Sequence, residues 1–141
     1  MMRTMKPRQM TVGDLMTTAL VTVRASELVT DAHAEMESGA IRHLPVVDER
    51  GHLVGVLSDR DLLRAAIGIA KRTPRIGELM TREIVSLRPE APAARAAELM
   101  IEHKIGSVPV VDEQGALVGI VTQTDYLEVA RRALLGLTLE R

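Results

Sequence analysis

An α+β fold made of two pseudosymmetric β-α-β-β-α repeats follows from three features of the chain. These are an internal repeat at constant spacing, β-branched runs divided by an Asp…Gly turn, and helical apolar spacing on either side of each such pair. Residues 12–63 superimpose without a gap on residues 76–127 at an offset of 64 (77 − 13 for Gly13 and Gly77), and 20 of the 52 aligned positions are identical. The identities cluster in two blocks. GDLMT from Gly13 answers GELMT from Gly77, and LPVVDERGHLVGVLSDRDLL from Leu44 answers VPVVDEQGALVGIVTQTDYL from Val108.

Each copy reads the same way along the chain. A short capped turn over residues 11–16 leads into an extended run over 20–23, matched by 84–87. Ser26 then opens a helix with Val29, Ala32, His33 and Met36 at helical spacing, ending near Gly39; Pro92 at a first-turn position, with Ala93, Ala96, Ala97 and Met100, is its counterpart. A strand over 44–47, a tight turn over 48–51 and a strand over 53–57 form a hairpin, repeated at 108–111, 112–115 and 117–121. A helix closes each unit, over 59–70 and 124–135. Residues 1–11 and 136–141 read as tails, 12–67 and 76–135 as the repeats, and 68–75 as the linker. A single three-stranded unit has an apolar face too small to be stable alone, so the two are expected to pack through their sheets about a pseudo-twofold axis.

Composition removes several function classes. The 141 residues contain no cysteine, which excludes disulfides, thiolate catalysis and cysteine-ligated zinc and favours a cytoplasmic setting. Arg3, Lys6 and Arg8 are not followed by the apolar stretch of a signal peptide, and no run reaches the roughly 20 apolar residues that span a bilayer. A net charge of −1 lacks the basic excess of a nucleic-acid binder, and with Tyr126 as the sole aromatic residue no base-stacking platform can be built. Neither nucleic acid nor membrane is expected as a partner. His33, His52 and His103 fall at no metal-ligand spacing, and no phosphate-binding glycine motif or nucleophile elbow is present, so no metal, cofactor or catalytic residue is assigned.

Chemistry concentrates where the last strand of each unit meets its last helix, at Ser58-Asp59-Arg60-Asp61 and Thr122-Gln123-Thr124-Asp125. A helix N-terminus offers unpaired N–H groups and positive potential to a phosphate, Ser58 or Thr122 adds a hydroxyl, and Asp61 or Asp125 can accept both hydroxyls of a ribose. The same four-residue pattern also serves as a plain helix cap.

The blocks GxLMT, IxxLPVVDxxGxLVGVLSxxD and IxxVPVVDxxGxLVGIVTxxD closely resemble the CBS domain family, over residues 12–63 and 76–127. The resemblance implies a CBS pair with two clefts that take AMP, ADP, ATP or S-adenosylmethionine, no required cofactor, and dimerisation. It further implies that one site joins Thr122, Thr124 and Asp125 to Thr17, Val21, Ile41 and Arg42, with His43 beside it. The other would join Ser58, Arg60 and Asp61 to Thr81, Val85, Ile105 and Gly106, with Ser107 beside it. Arg42 and His43 stand where the other site has Gly106 and Ser107, so the site holding Arg42 and Asp125 is expected to bind phosphates more tightly.

The expected function is a regulatory, energy-sensing module that binds an adenine nucleotide, forms a homodimer and signals to an unidentified effector protein; the alternative is a ligand-free dimerisation module. Lys71, Arg72 and Arg75 read as a solvated linker or the surface an effector touches, and Leu134, Leu135, Leu137 and Leu139 as too apolar for a free tail.

Overall fold

The computed structural model describes residues 4–5, 10–67 and 72–140. Its elements are β1 (Thr4–Met5), α1 (Val12–Leu15), α2 (Val29–Gly39), β2 (His43–Val47), β3 (Leu53–Ser58), α3 (Asp59–Ile67), α4 (Ile76–Leu79), α5 (Ala93–His103), β4 (Ser107–Val111), β5 (Leu117–Thr122), α6 (Gln123–Leu134) and β6 (Leu139–Glu140). The helix-hairpin-helix order therefore occurs twice. The part of the expected closing helix beyond residue 67, and Lys71 in the linker, lie outside the described residues.

The chain forms two compact units that cut across the sequence repeats. One comprises Val21–Ile84 with Gly115–Leu117; the other comprises the chain up to Leu20, Val85–Gln114 and the chain from Val118 onward. In the first unit, Val29, Ala32 and Met36 of α2 pack with Leu44, Val46 and Leu57 of the hairpin, and Ile76 of α4 and Met80 just after it join the same core. In the second, Ala96, Leu99 and Met100 of α5 pack with Val108, Val110 and Val121, and α1 contributes Val12. The capped turn of one repeat thus completes the core built by the other. Thr11 caps α1, accepting from Asp14 N at 3.3 Å while its own N–H donates to the Asp14 carboxylate at 2.9 Å.

Three sequence expectations shift. The extended runs at 20–23 and 84–87 form no strand; each makes a single parallel bridge, Val23 with Val46 and Leu87 with Val110. The cause is proline. Val23 N donates to Pro45 O at 3.1 Å and Val23 O accepts from Val47 N at 3.0 Å, so the next rung toward the N-terminus would need an N–H from Pro45, which has none. Pro109 ends the Leu87 ladder in the same way, since Leu87 N donates to Pro109 O at 3.1 Å and Val111 N to Leu87 O at 2.9 Å. The β2–β3 and β4–β5 hairpins consequently remain two-stranded sheets, and a third two-stranded sheet pairs β1 antiparallel with β6.

Second, α2 begins at Val29 rather than at Ser26, because the Leu28 N–H is satisfied by the Asp31 carboxylate at 3.2 Å. Third, the C-terminal leucines divide. Leu139 is buried with Met10 and Ala93, whereas Leu134, Leu135 and Leu137 are exposed.

The hairpin turns follow from their residues. The Asp48 carboxylate accepts from the N–H groups of Arg50 and His52, both at 2.9 Å, and Gly51 takes φ +81°, open to glycine without strain.

The turn methionines lie directly on hairpin glycines. A Cβ at Gly119 would stand 2.5 Å from Met16 Sδ and 3.1 Å from Met16 Cβ, and Gly55 faces Met80 in the same manner. Because Met16 Cβ is fixed to the backbone, Gly119→Ala is expected to destabilise the protein by about 1–3 kcal/mol, the usual range for overpacking. Adding Met16→Ala should recover part of that loss in urea unfolding. A neutral Gly119→Ala would mean the contact is loose.

Candidate functional site

Each hairpin ends by running straight into a helix, and the acid three residues on folds back over the junction. Asp61 Oδ2 accepts from Ser58 N at 2.7 Å and Ser58 Oγ at 3.0 Å, while Asp61 N donates to Ser58 Oγ at 3.3 Å. Asp125 Oδ2 accepts from Thr122 N at 2.8 Å and Thr122 Oγ1 at 3.3 Å. Both acids therefore cap a helix with one oxygen, and capping and ligand binding are compatible only through the other.

Strand pairing sets what stands beside each corner. His43 is the register partner of Ser58, and Arg42 O accepts from Asp59 N at 3.0 Å. On the other hairpin, Gly106 O accepts from Gln123 N at 3.1 Å. The chain entering each hairpin thus lies against its own closing helix. Thr81 and Val56 exchange two backbone bonds of 2.9 and 3.1 Å, as do Thr17 and Ile120 at 2.9 and 3.1 Å.

The candidate residues consequently fall into two sets, one per unit. Val21, Ile41, Arg42, His43, Ser58, Arg60, Asp61 and Thr81 belong to one; Thr17, Val85, Ile105, Gly106, Ser107, Thr122, Thr124 and Asp125 belong to the other. Thr81 shares a unit with Asp61, and Thr17 with Asp125. Arg42 and His43 share a unit with Asp61, and Gly106 and Ser107 with Asp125.

Burial and charge distinguish the two corners. Asp61 is 4% exposed and its Oδ1 accepts from Arg64 Nη2, a residue that no sequence motif singled out. Arg42 and Arg60 are exposed, as is Thr124. Burial holds the His43 pKa below 6.5 despite the opposing effect of Asp59, with Arg42 reinforcing the drop. Tyr126, beside Asp125 in sequence, donates to Ala93 O at 2.6 Å, and burial pushes its phenol up to about 12.

Elsewhere, Arg24, Ser26, Asp48, Arg50 and Arg82 are among the residues lining an open cleft of about 600 Å³ that includes none of the candidates. Arg72 is engaged by Glu78, and Arg75 donates to Ser26 O, so neither side chain of this linker segment is simply solvated. Among the described residues no group of three metal-ligating side chains occurs, and no helix is long and apolar enough to cross a membrane.

Comparison with known proteins adds to this geometry. A family model of the CBS domain matches residues 12–68 and 76–132. The CBS domain-containing protein YhcV of Bacillus subtilis is 40% identical over 116 residues, 81% of either chain. The magnesium transporter MgtE of Thermus thermophilus is 38% identical over 122 residues, but the chain spans only 26% of it, and 21–23% of homoserine O-acetyltransferase and other long relatives. Among solved structures, the CBS domain pair of protein MJ0100 in complex with 5′-methylthioadenosine and S-adenosyl-L-methionine superimposes with a TM-score of 0.81 at 30% identity, covering 87% of this chain and 97% of that one. CBSX2 in complex with AMP gives 0.77 at 35% identity, with 88% and 98% covered.

Two outcomes are expected from the corner geometry. Asp61→Ala should cost about 1–3 kcal/mol in urea unfolding, since it strips both a cap and a charged partner from a buried position, against about 1 kcal/mol for Asp125→Ala; equal losses would contradict this. His43, half-buried and with a depressed folded pKa, binds fewer protons folded than unfolded, so its contribution to stability is complete above pH 6.5 and is lost as pH falls through the folded value. His43→Ser should flatten the stability profile between about pH 7 and pH 5, and an unchanged slope would assign the acid sensitivity elsewhere.

Proposed function

Since this chain belongs to the CBS domain family, with repeats at residues 12–68 and 76–132, we propose that it is a regulatory module that binds an adenine nucleotide or adenosyl compound and signals by a change of conformation or assembly. The observation that carries this reading is the twice-built corner. A hydroxyl, a helix N-terminus of at least nine residues and an acid converge beside the chain entering the hairpin. Those groups suit a ribose phosphate, with phosphate at the N-terminus and the diol at the acid. The family's solved relatives carry S-adenosyl-L-methionine with 5′-methylthioadenosine in one case and AMP in another, which supports an adenosyl ligand.

In this proposal Thr122, Thr124 and Asp125, with Thr17, serve one ligand. Ser58, Arg60 and Asp61, with Thr81, form the equivalent set. AMP, ADP, ATP and S-adenosylmethionine are the candidate ligands. Binding needs only to favour one state over another for an effector protein to read it, and no reaction is required of these residues.

A second reading has its own observation. Leu127 and Leu134 on α6 and Leu63 on α3 are exposed at 70%, 87% and 63%, and an apolar helix face of this kind fits an isologous dimer that needs no ligand. One experiment separates the two. Thermal unfolding with AMP, ADP, ATP, S-adenosylmethionine and NADH, followed by light scattering, should show stabilisation of about 2.7 kcal/mol at 100 times the dissociation constant for an adenosyl ligand. A dimer that no compound stabilises would favour the assembly reading.

A further inference from the structure

Asp61 and Asp125 are equivalent in the repeat (125 − 61 = 64), and each commits Oδ2 to the backbone N–H that opens its helix. Their second oxygens differ. Asp61 Oδ1 accepts from Arg64, one turn along α3. The position corresponding to Arg64 is Glu128 (128 − 64 = 64), whose carboxylate is turned away to Arg131, Oε2 to Nε at 2.9 Å and Oε1 to Nη2 at 2.6 Å. Among the described residues, Thr122 alone donates to Asp125, and only to Oδ2.

We infer that Arg64 closes the first corner by occupying the Asp61 oxygen a ribose would use, so that the chain binds one adenosyl ligand, at the corner of Thr122 and Asp125. This rests on the ligand-binding reading above and states which of its two corners is available. A guanidinium bound to a carboxylate pairs two ionised groups, whereas a ribose hydroxyl would bring no positive charge to offset that of the buried acid. The acid is almost wholly shielded, its side chain 5% exposed against 71% for Arg64, so displacing the arginine would leave a buried carboxylate without its cation. Asp125 faces no such competition: an acid at position 128 cannot donate to it, and Arg131 is already drawn to Glu128.

The consequence is read by titration calorimetry of the full chain with AMP and with S-adenosylmethionine. The parent should bind one equivalent per chain and Arg64→Gln two. Asp125→Asn should weaken the parent by at least about tenfold and leave Arg64→Gln with one site. Arg64→Lys, which keeps the charge, should stay at one. Two sites in the parent, or a single site persisting in Arg64→Gln, overturn the inference, and weaker binding by Arg64→Gln would make Arg64 a ligand contact instead.

If no variant binds either compound, the ligand-binding reading itself fails. The pairing is then judged separately by thermal unfolding of Arg64→Gln, Asp61→Asn and the double variant. Asn keeps an acceptor for the Ser58 N–H, so the cap survives. The two changes should be non-additive by about 3 °C in Tm, and additivity would show that Arg64 does not hold Asp61.

Discussion

Val12 and Ile76 have no solvent exposure, and each lies in a core assembled mainly from the other repeat. The rest of the architecture depends on that exchange. A two-stranded hairpin with one helix cannot cover both faces of its inner strand, and β2 is buried along four consecutive residues. The missing cover comes from a four-residue helix, α1 for one core and α4 for the other, seated by a methionine on a hairpin glycine. Neither short helix could persist alone, since a single turn lies far below the length at which helices hold in water. The sequence repeat is thus the unit of duplication, and the compact unit is the unit of packing.

This explains where the repeat is most faithful to itself. Identity is retained at Gly13/Gly77, Met16/Met80, Asp48/Asp112, Gly51/Gly115 and Gly55/Gly119, positions that fix the short helix, its seat and the turn. Of these, Asp48/Asp112 and Gly51/Gly115 make the hairpins legible in the sequence, because each obeys a local rule, a turn acid and a positive-φ glycine. The shortened lead-in runs were equally written in the sequence, at Pro45 and Pro109. They escaped because propensity alone marks β-branched residues as strand, whereas the ladder is decided by which face of the neighbouring strand lacks an N–H.

The candidate sites were legible to a lesser degree, and for a definite reason. Hydroxyl and acid three residues apart are a local pattern, and both copies fold into the junction that pattern describes. Which entering strand stands beside which acid is a matter of tertiary pairing. Residue spacing does not encode it; the pairing of His43 with Ser58 is what brings Arg42 O onto Asp59 N. Arg64 went unremarked for the opposite reason. An acid and a base at i, i+3 on a helix are so ordinary that they carry no signal until the acid is found to be buried.

Placing the two repeats side by side turns that ordinary pair into information. Core and turn positions must satisfy the same packing in both copies, so they resist change; residues that only face the corner are released from that constraint once a second corner exists. Near the two corners the copies differ at Arg42 against Gly106, His43 against Ser107, Arg60 against Thr124 and Arg64 against Glu128. Each substitution alters charge or hydrogen-bonding capacity while the capping acid remains. Duplication preserves the scaffold of a site without preserving its occupancy, and a buried carboxylate that still caps its helix can give its remaining oxygen to an arginine at no cost to the fold.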